Sequence, residues 1–154
     1  YDNFFNKFNN SNNISLVKSK NFMKWRLSRP DKEYKIFSII KNNELLAYAI
    51  VCKSTMSFVP VLAVIDIINL TNDKSFINAL FKKIYYFAYS EDLEAIVLML
   101  NKTIAKKYNI IYSGFIKSLY KYDMIVNSFN NKNLKKNLMN ESDWHLSWID
   151  FDDH

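Results

Sequence analysis

The feature that most constrains the fold is the apolar run from Ser57 to Leu70, which has Pro60 near its start and a single charge, Asp66. A run of this kind reads as a central strand covered on both faces. Thr71-Asn72-Asp73-Lys74-Ser75 then supplies several N-caps, after which Phe76, Ile77, Ala79, Leu80, Ile84, Phe87 and Ala88 recur at helical spacing. An amphipathic helix is predicted from about Lys74 to Ser90, and a second buried strand from Glu94 to Leu100. A right-handed crossover through that helix makes the two strands parallel neighbours.

The flanking segments fit the same sheet. Asn3 to Asn13 reads as a short helix and a polar loop, and Phe22 to Leu27 as a helical turn ended by Arg29-Pro30, because proline disfavours helix in the residue before it. Tyr34 to Ile40 and Leu45 to Lys53 are β-rich runs joined through Lys41-Asn42-Asn43-Glu44; asparagine tolerates the left-handed conformation of a tight turn, so a hairpin is predicted. Lys102 to Tyr108 reads as a short helix, Phe115 to Val126 as a strand, Asn127 to Asn140 as a lysine-bearing helix or loop, and Asp143 to Phe151 as a last strand. The expected class is α/β or α+β: a mixed, largely antiparallel sheet with one central parallel strand pair and flanking helices, in one domain spanning residues 1–154.

The chain contains one glycine, Gly114. Glycine lets backbone approach a phosphate or take positive φ, so glycine-rich cradles such as the Walker A loop and the G-x-G-x-x-G turn are excluded. Gly114 itself is expected to turn the chain into Phe115.

Net charge is +6, with the lysines scattered (Lys18, Lys20, Lys82, Lys83, Lys106, Lys107, Lys135, Lys136) instead of blocked together. That pattern is a solvated surface or the footprint of an anionic ligand. It includes neither a basic helix nor a stacking platform, which argues against nucleic acid as a partner. Cys52, the single cysteine, sits beside an apolar run and reads as a buried inert thiol. With one cysteine and two histidines, a zinc site has no ligand set. No apolar run is long enough to span a membrane and no leader is visible, so a cytoplasmic setting is expected. The first residue is Tyr, which leaves open a longer polypeptide with an N-terminal region.

In this order the elements resemble the GNAT superfamily of acyl-CoA-dependent N-acyltransferases. The resemblance rests on the hairpin from Tyr34 to Lys53, the strand and helix from Ser57 to Ser90, the strand ending before Asn101, and the Gly114-Phe115 pair. More narrowly, Trp25-Arg26 with Pro30 and Tyr34 (W-R-x-x-x-P-x-x-x-Y), and Trp144, Leu146, Asp150 and Asp152 (W-x-L-x-x-x-D-x-D), resemble a bacterial subgroup. It covers about Phe22 to the end.

The resemblance implies acyl transfer, acetyl above all, from acetyl-CoA or another acyl-CoA to the amine of a small molecule or sugar. In the family two central strands splay apart around the pantetheine arm, and the pyrophosphate rests on amides at the next helix N-terminus. Ile68, Leu70, Thr71, Asn72, Lys74, Ser75 and Asn101 are the cofactor-binding positions it implies here, although the family's Q/R-x-x-G-x-G/A pattern is replaced by a glycine-free loop in which Asp73 stands where an anion would lie. Asp66 is either a general base for the amine or the partner of a lysine, since an unpaired buried carboxylate is expensive. Tyr108 and Tyr112 are the candidate acids for the departing thiolate. The competing reading is a degenerate module of the same fold that has lost the cofactor and serves as partner or scaffold to an N-terminal region or in a homodimer.

Overall fold

The computed structural model describes residues 1–11, 14–71, 73–119, 140 and 143–150. Helix α1 (Asp2–Ser11), the short strand β1 (Ile14–Ser15) and helix α2 (Lys20–Arg26) precede a meander of β2 (Tyr34–Lys41), β3 (Glu44–Met56) and β4 (Val59–Asn69). Helix α3 (Lys74–Ser90), strand β5 (Ala95–Leu98), helix α4 (Lys102–Lys107), a 3-10 turn (Ile110–Ser113), strand β6 (Trp144–His145) and a second 3-10 turn (Trp148–Asp150) follow. The main sheet has the order β2-β3-β4-β5, antiparallel except for the parallel pair β4 and β5. The predicted fold class, crossover and helix α3 are therefore observed.

Local chemistry explains the agreement. Asn42 and Asn43 both take positive φ (52° and 63°) in the β2–β3 turn, the conformation that such a tight hairpin requires. Asp73 caps α3 through its side chain, and Ile77, Leu80, Phe81, Ile84 and Ala88 form the buried stripe. Gly114 has φ +86° and closes the 3-10 turn; a Cβ there would find room, with the Tyr85 hydroxyl 4.0 Å away, so the dihedral angle is what calls for glycine.

Three expectations are corrected. The apolar run does not start as strand: Ser57 and Phe58 form a second tight turn with positive φ, Phe58 is 99% exposed, and β3 extends to Met56 to meet β4. The predicted strand from Phe115 has no strand over residues 115–119, and its remainder, with nearly all of the 127–140 segment, lies outside the described residues. The predicted last strand shrinks to Trp144–His145, which pairs in parallel with β1 and gives way to a 3-10 turn.

The sheet is sandwiched. On one face Ala47, Ala49, Val51, Leu62, Val64 and Ile67 pack on α3 and on Ile104 and Tyr108. On the other, Tyr48, Ile50, Cys52, Ala63, Ile65 and Ile68 pack against Phe4, Phe5 and Phe8 of α1, Met23 of α2 and Ile149. Cys52 belongs to this second layer, where burial pushes its thiol up and keeps it unreactive.

Candidate functional site

The site begins where the parallel pair stops pairing. β4 continues to Asn69, yet β5 matches only Val61 to Val64, from Ala95 to Leu98. Among the described residues, one edge of β4 has no strand partner beyond Val64. The Leu70 amide donates to the Leu46 carbonyl (3.0 Å), whereas the Asn69 amide faces the opposite way and donates to the Tyr108 hydroxyl (3.2 Å). Amides alternate sides along a strand, so that of Ile67 shares the open edge with Asn69, while those of Ile68 and Leu70 turn toward β3.

Beside this edge lies a cavity of about 670 Å³, lined by Asn69, Thr71 and Lys74 on one side and by Lys102, Lys106 and Tyr108 on the other. Lys102 with Lys106, and Thr103 with Lys107, stand one turn apart on α4 and complete the cationic wall. The wall can attract an anion, but the loop beneath it is occupied by its own side chains. Asn69 Oδ1 accepts from the amide and hydroxyl of Thr71 (both 3.0 Å), Thr71 Oγ1 accepts from the Asp73 amide (3.1 Å), and the Asp73 carboxylate accepts from the Ser75 amide (2.9 Å). The Ser75 hydrogen bonds hold the Asp73 carboxyl below the usual carboxylate range. Asn72 lies outside the described residues.

Tyr108 is 2% exposed, and burial pushes its hydroxyl well above its ordinary value, so it stays protonated at neutral pH. Having accepted from Asn69, it keeps its own proton to give. The negative charge of Asp66 adds a smaller push in the same direction, although Tyr108 packs on the α3 side of the sheet and Asp66 on the other.

Asp66 is fully buried on the second face. A bulge places Ile50 opposite Asp66 but Val51 opposite Val64, leaving Ile65 as the extra residue. Asp66 therefore shares its face with Ile68 and not, as strict alternation implies, with Val64. Its Oδ1 accepts from Lys18 Nζ (2.8 Å) and from the Ser147 hydroxyl (2.7 Å), and its Oδ2 accepts from the Tyr48 hydroxyl (2.7 Å). Lys18 Nζ also reaches Ser147 Oγ (3.1 Å) and Asp150 Oδ1 (3.3 Å). Burial works to raise the Asp66 carboxyl, but the Lys18 ammonium and the hydrogen bonds outweigh it and hold the group ionised. The Asp150 carboxyl is raised, chiefly by burial. His145, 1% exposed against the edge of Phe8 with centroids 4.8 Å apart, is drawn down to about 4 by burial and the Lys18 charge.

Of the alternatives for Asp66, the lysine partner is the one observed. Tyr112 is 87% exposed on the 3-10 turn, away from the cavity lining that holds Tyr108. Asn101 caps α4 by accepting from the Ile104 amide (2.9 Å) and donates to the Trp144 carbonyl. Tyr48, Ser147, Lys102 and Thr103 are not among the residues the sequence singles out, and Lys18 is there only as one of the scattered lysines. The i, i+4 pairing of Lys102 with Lys106 was a readable signal; nothing local marks Lys18.

No protein-family model matches the chain. No curated protein matches it in sequence. Solved structures do match its fold. The "Putative acetyl transferase from Pyrococcus furiosus" superposes with a TM-score of 0.54 at 20% identity, over 69% of this chain and 74% of that one. The aminoglycoside acetyltransferase meta-AAC0020 from an uncultured soil metagenomic sample, solved with trehalose, gives 0.54 at 12% identity over 85% and 86%. The tetramutant of BH1408 protein from Bacillus halodurans gives 0.56 at 11% identity over 72% and 76%. Strand order, the parallel pair and these superpositions agree that the chain has the GNAT-like acetyltransferase fold.

Proposed function

We propose that the protein transfers an acyl group from an acyl-CoA to a primary amine of a small molecule. The observation that carries this reading is the parted β4–β5 edge with the buried Tyr108 hydroxyl hydrogen-bonded to its Asn69 amide. The acyl thioester would lie along the open edge of β4, its carbonyl polarised by the Ile67 amide. Attack by the neutral amine forms the C–N bond and its surplus proton passes to water, collapse breaks the C–S bond, and Tyr108 would protonate the departing thiolate and recover its own proton through water. Lys74, Lys102, Lys106 and Lys107 would offset the charge of the phosphates through side chains, because the loop amides of Thr71, Asp73 and Ser75 are already bonded.

Those bonded amides favour a second reading, a fold relative that no longer holds the cofactor. Thermal unfolding with acetyl-CoA separates the two, since a ligand selective for the folded state raises Tm. A rise that grows with the logarithm of concentration supports acyl transfer; an unchanged Tm at millimolar acetyl-CoA supports the second reading.

A further inference from the structure

The environment of Lys18 is that of a bound ligand more than of a surface lysine. Leu16 and Val17 beside it are 40% and 67% exposed and Ser19 and Lys20 are exposed, yet Lys18 itself is 0% exposed. Its four methylenes run inward from a surface strap, and the ammonium ends among Asp66 Oδ1, Ser147 Oγ and Asp150 Oδ1. Two buried carboxylates face one ammonium, and the Tyr48 hydroxyl holds the far oxygen of Asp66 in place. The strap has no regular structure over residues 16–19 and is tethered by Ser15 to Asn9 (2.8 Å) and by the Lys20 amide to Asp2 (3.1 Å).

We propose that Asp66, Ser147 and Asp150 form an ammonium-binding cage, and that Lys18 fills it in the resting chain as an internal stand-in for the acceptor amine. The cage takes a primary ammonium on an unbranched chain of at least three carbons, because that is the shape it now holds: a methylene stem through an apolar layer, then a charge on two carboxylates. Secondary and quaternary amines lack the three N–H donors that such a cage requires. That the guest is an acceptor rests on the acyl-transfer reading; that the cage binds an ammonium does not.

The test uses Lys18→Ala, which removes the atoms of n-propylamine. Its Tm is expected to climb by several degrees as n-propylamine is raised through the millimolar range, with 1-propanol and tetramethylammonium giving no rise. In the triple variant Lys18→Ala with Asp66→Asn and Asp150→Asn, where no buried carboxylate awaits a partner, the rise is expected to vanish. If Lys18→Ala folds only when n-propylamine is present, the cage is supported in the same way. A Lys18→Ala protein indifferent to the amine, or unfolded with and without it, overturns the proposal. A response to n-propylamine without one to acetyl-CoA keeps the cage and removes acyl transfer; the reverse result keeps acyl transfer and removes the cage.

Discussion

The Asn69 amide donates 3.2 Å to the Tyr108 hydroxyl across the gap where β4 and β5 part, joining the end of a strand to the end of a helix thirty-nine residues later. Tyr108→Phe is therefore expected to remove the proton for the leaving thiolate and to strand a buried N–H. Loss of general acid catalysis is worth about 100-fold or more in kcat, and an unsatisfied buried amide about 1 to 3 kcal/mol of stability. Tyr112→Phe, at an exposed position, leaves both unchanged. Steady-state kinetics with acetyl-CoA and denaturant unfolding of the two variants check this.

Lys18 and Asp66 are each 0% exposed at the side chain, so deleting one leaves the other buried and charged without its nearest counter-ion. Lys18→Met and Asp66→Asn are each expected to cost about 3 to 5 kcal/mol, and the double variant less than their sum. Additive costs in a urea double-mutant cycle would show the pair to be uncoupled.

Acid stability turns on His145. Its folded value of about 4 lies below the ordinary 6.5, so between those limits the unfolded chain binds a proton that the folded chain refuses. Stability falls as pH drops from 6.5 to 4, by about 3 kcal/mol over the whole window. Asp66, held below its ordinary value, extends the loss to still lower pH as it protonates. Asp150 opposes it, because a raised carboxyl binds its proton first in the folded chain. His145→Phe is expected to flatten Tm between pH 6.5 and 4; an unaltered slope would place the titration elsewhere.

Asp73 caps α3 but sets a carboxylate where a phosphate would lie. Asp73→Ala is expected to lower Tm by removing the cap and yet to tighten acetyl-CoA binding by freeing the Ser75 amide and removing a like charge. Lys102→Glu with Lys106→Glu is expected to weaken binding and to reduce its salt dependence. Calorimetry at two ionic strengths measures both.

Phe4, Phe5 and Phe8 hang α1 on the second face of the sheet, each under 5% exposed. Phe8→Ala is expected to cost about 3 to 5 kcal/mol. A loss below about 1 kcal/mol in urea unfolding would mean that α1 contributes little to the folded core.

Short-range physics was legible in the chain. The limits of α3 follow from its cap and its 3.6-residue stripe, the β2–β3 turn from paired asparagines, and the positive φ of Gly114 from its being the one residue there without a Cβ. The apolar run hid the turn at Ser57 and Phe58, because uniform hydrophobicity carries no punctuation. Asp66 announced that it needed a partner, as any buried charge must, but not which one. Tertiary structure alone decided that: a bulge at Ile65 turned it to the second face, and packing brought Lys18 from forty-eight residues before it and Ser147 from eighty-one after. Burial and a long-range amide likewise separate Tyr108 from Tyr112, two tyrosines that sequence spacing leaves equivalent.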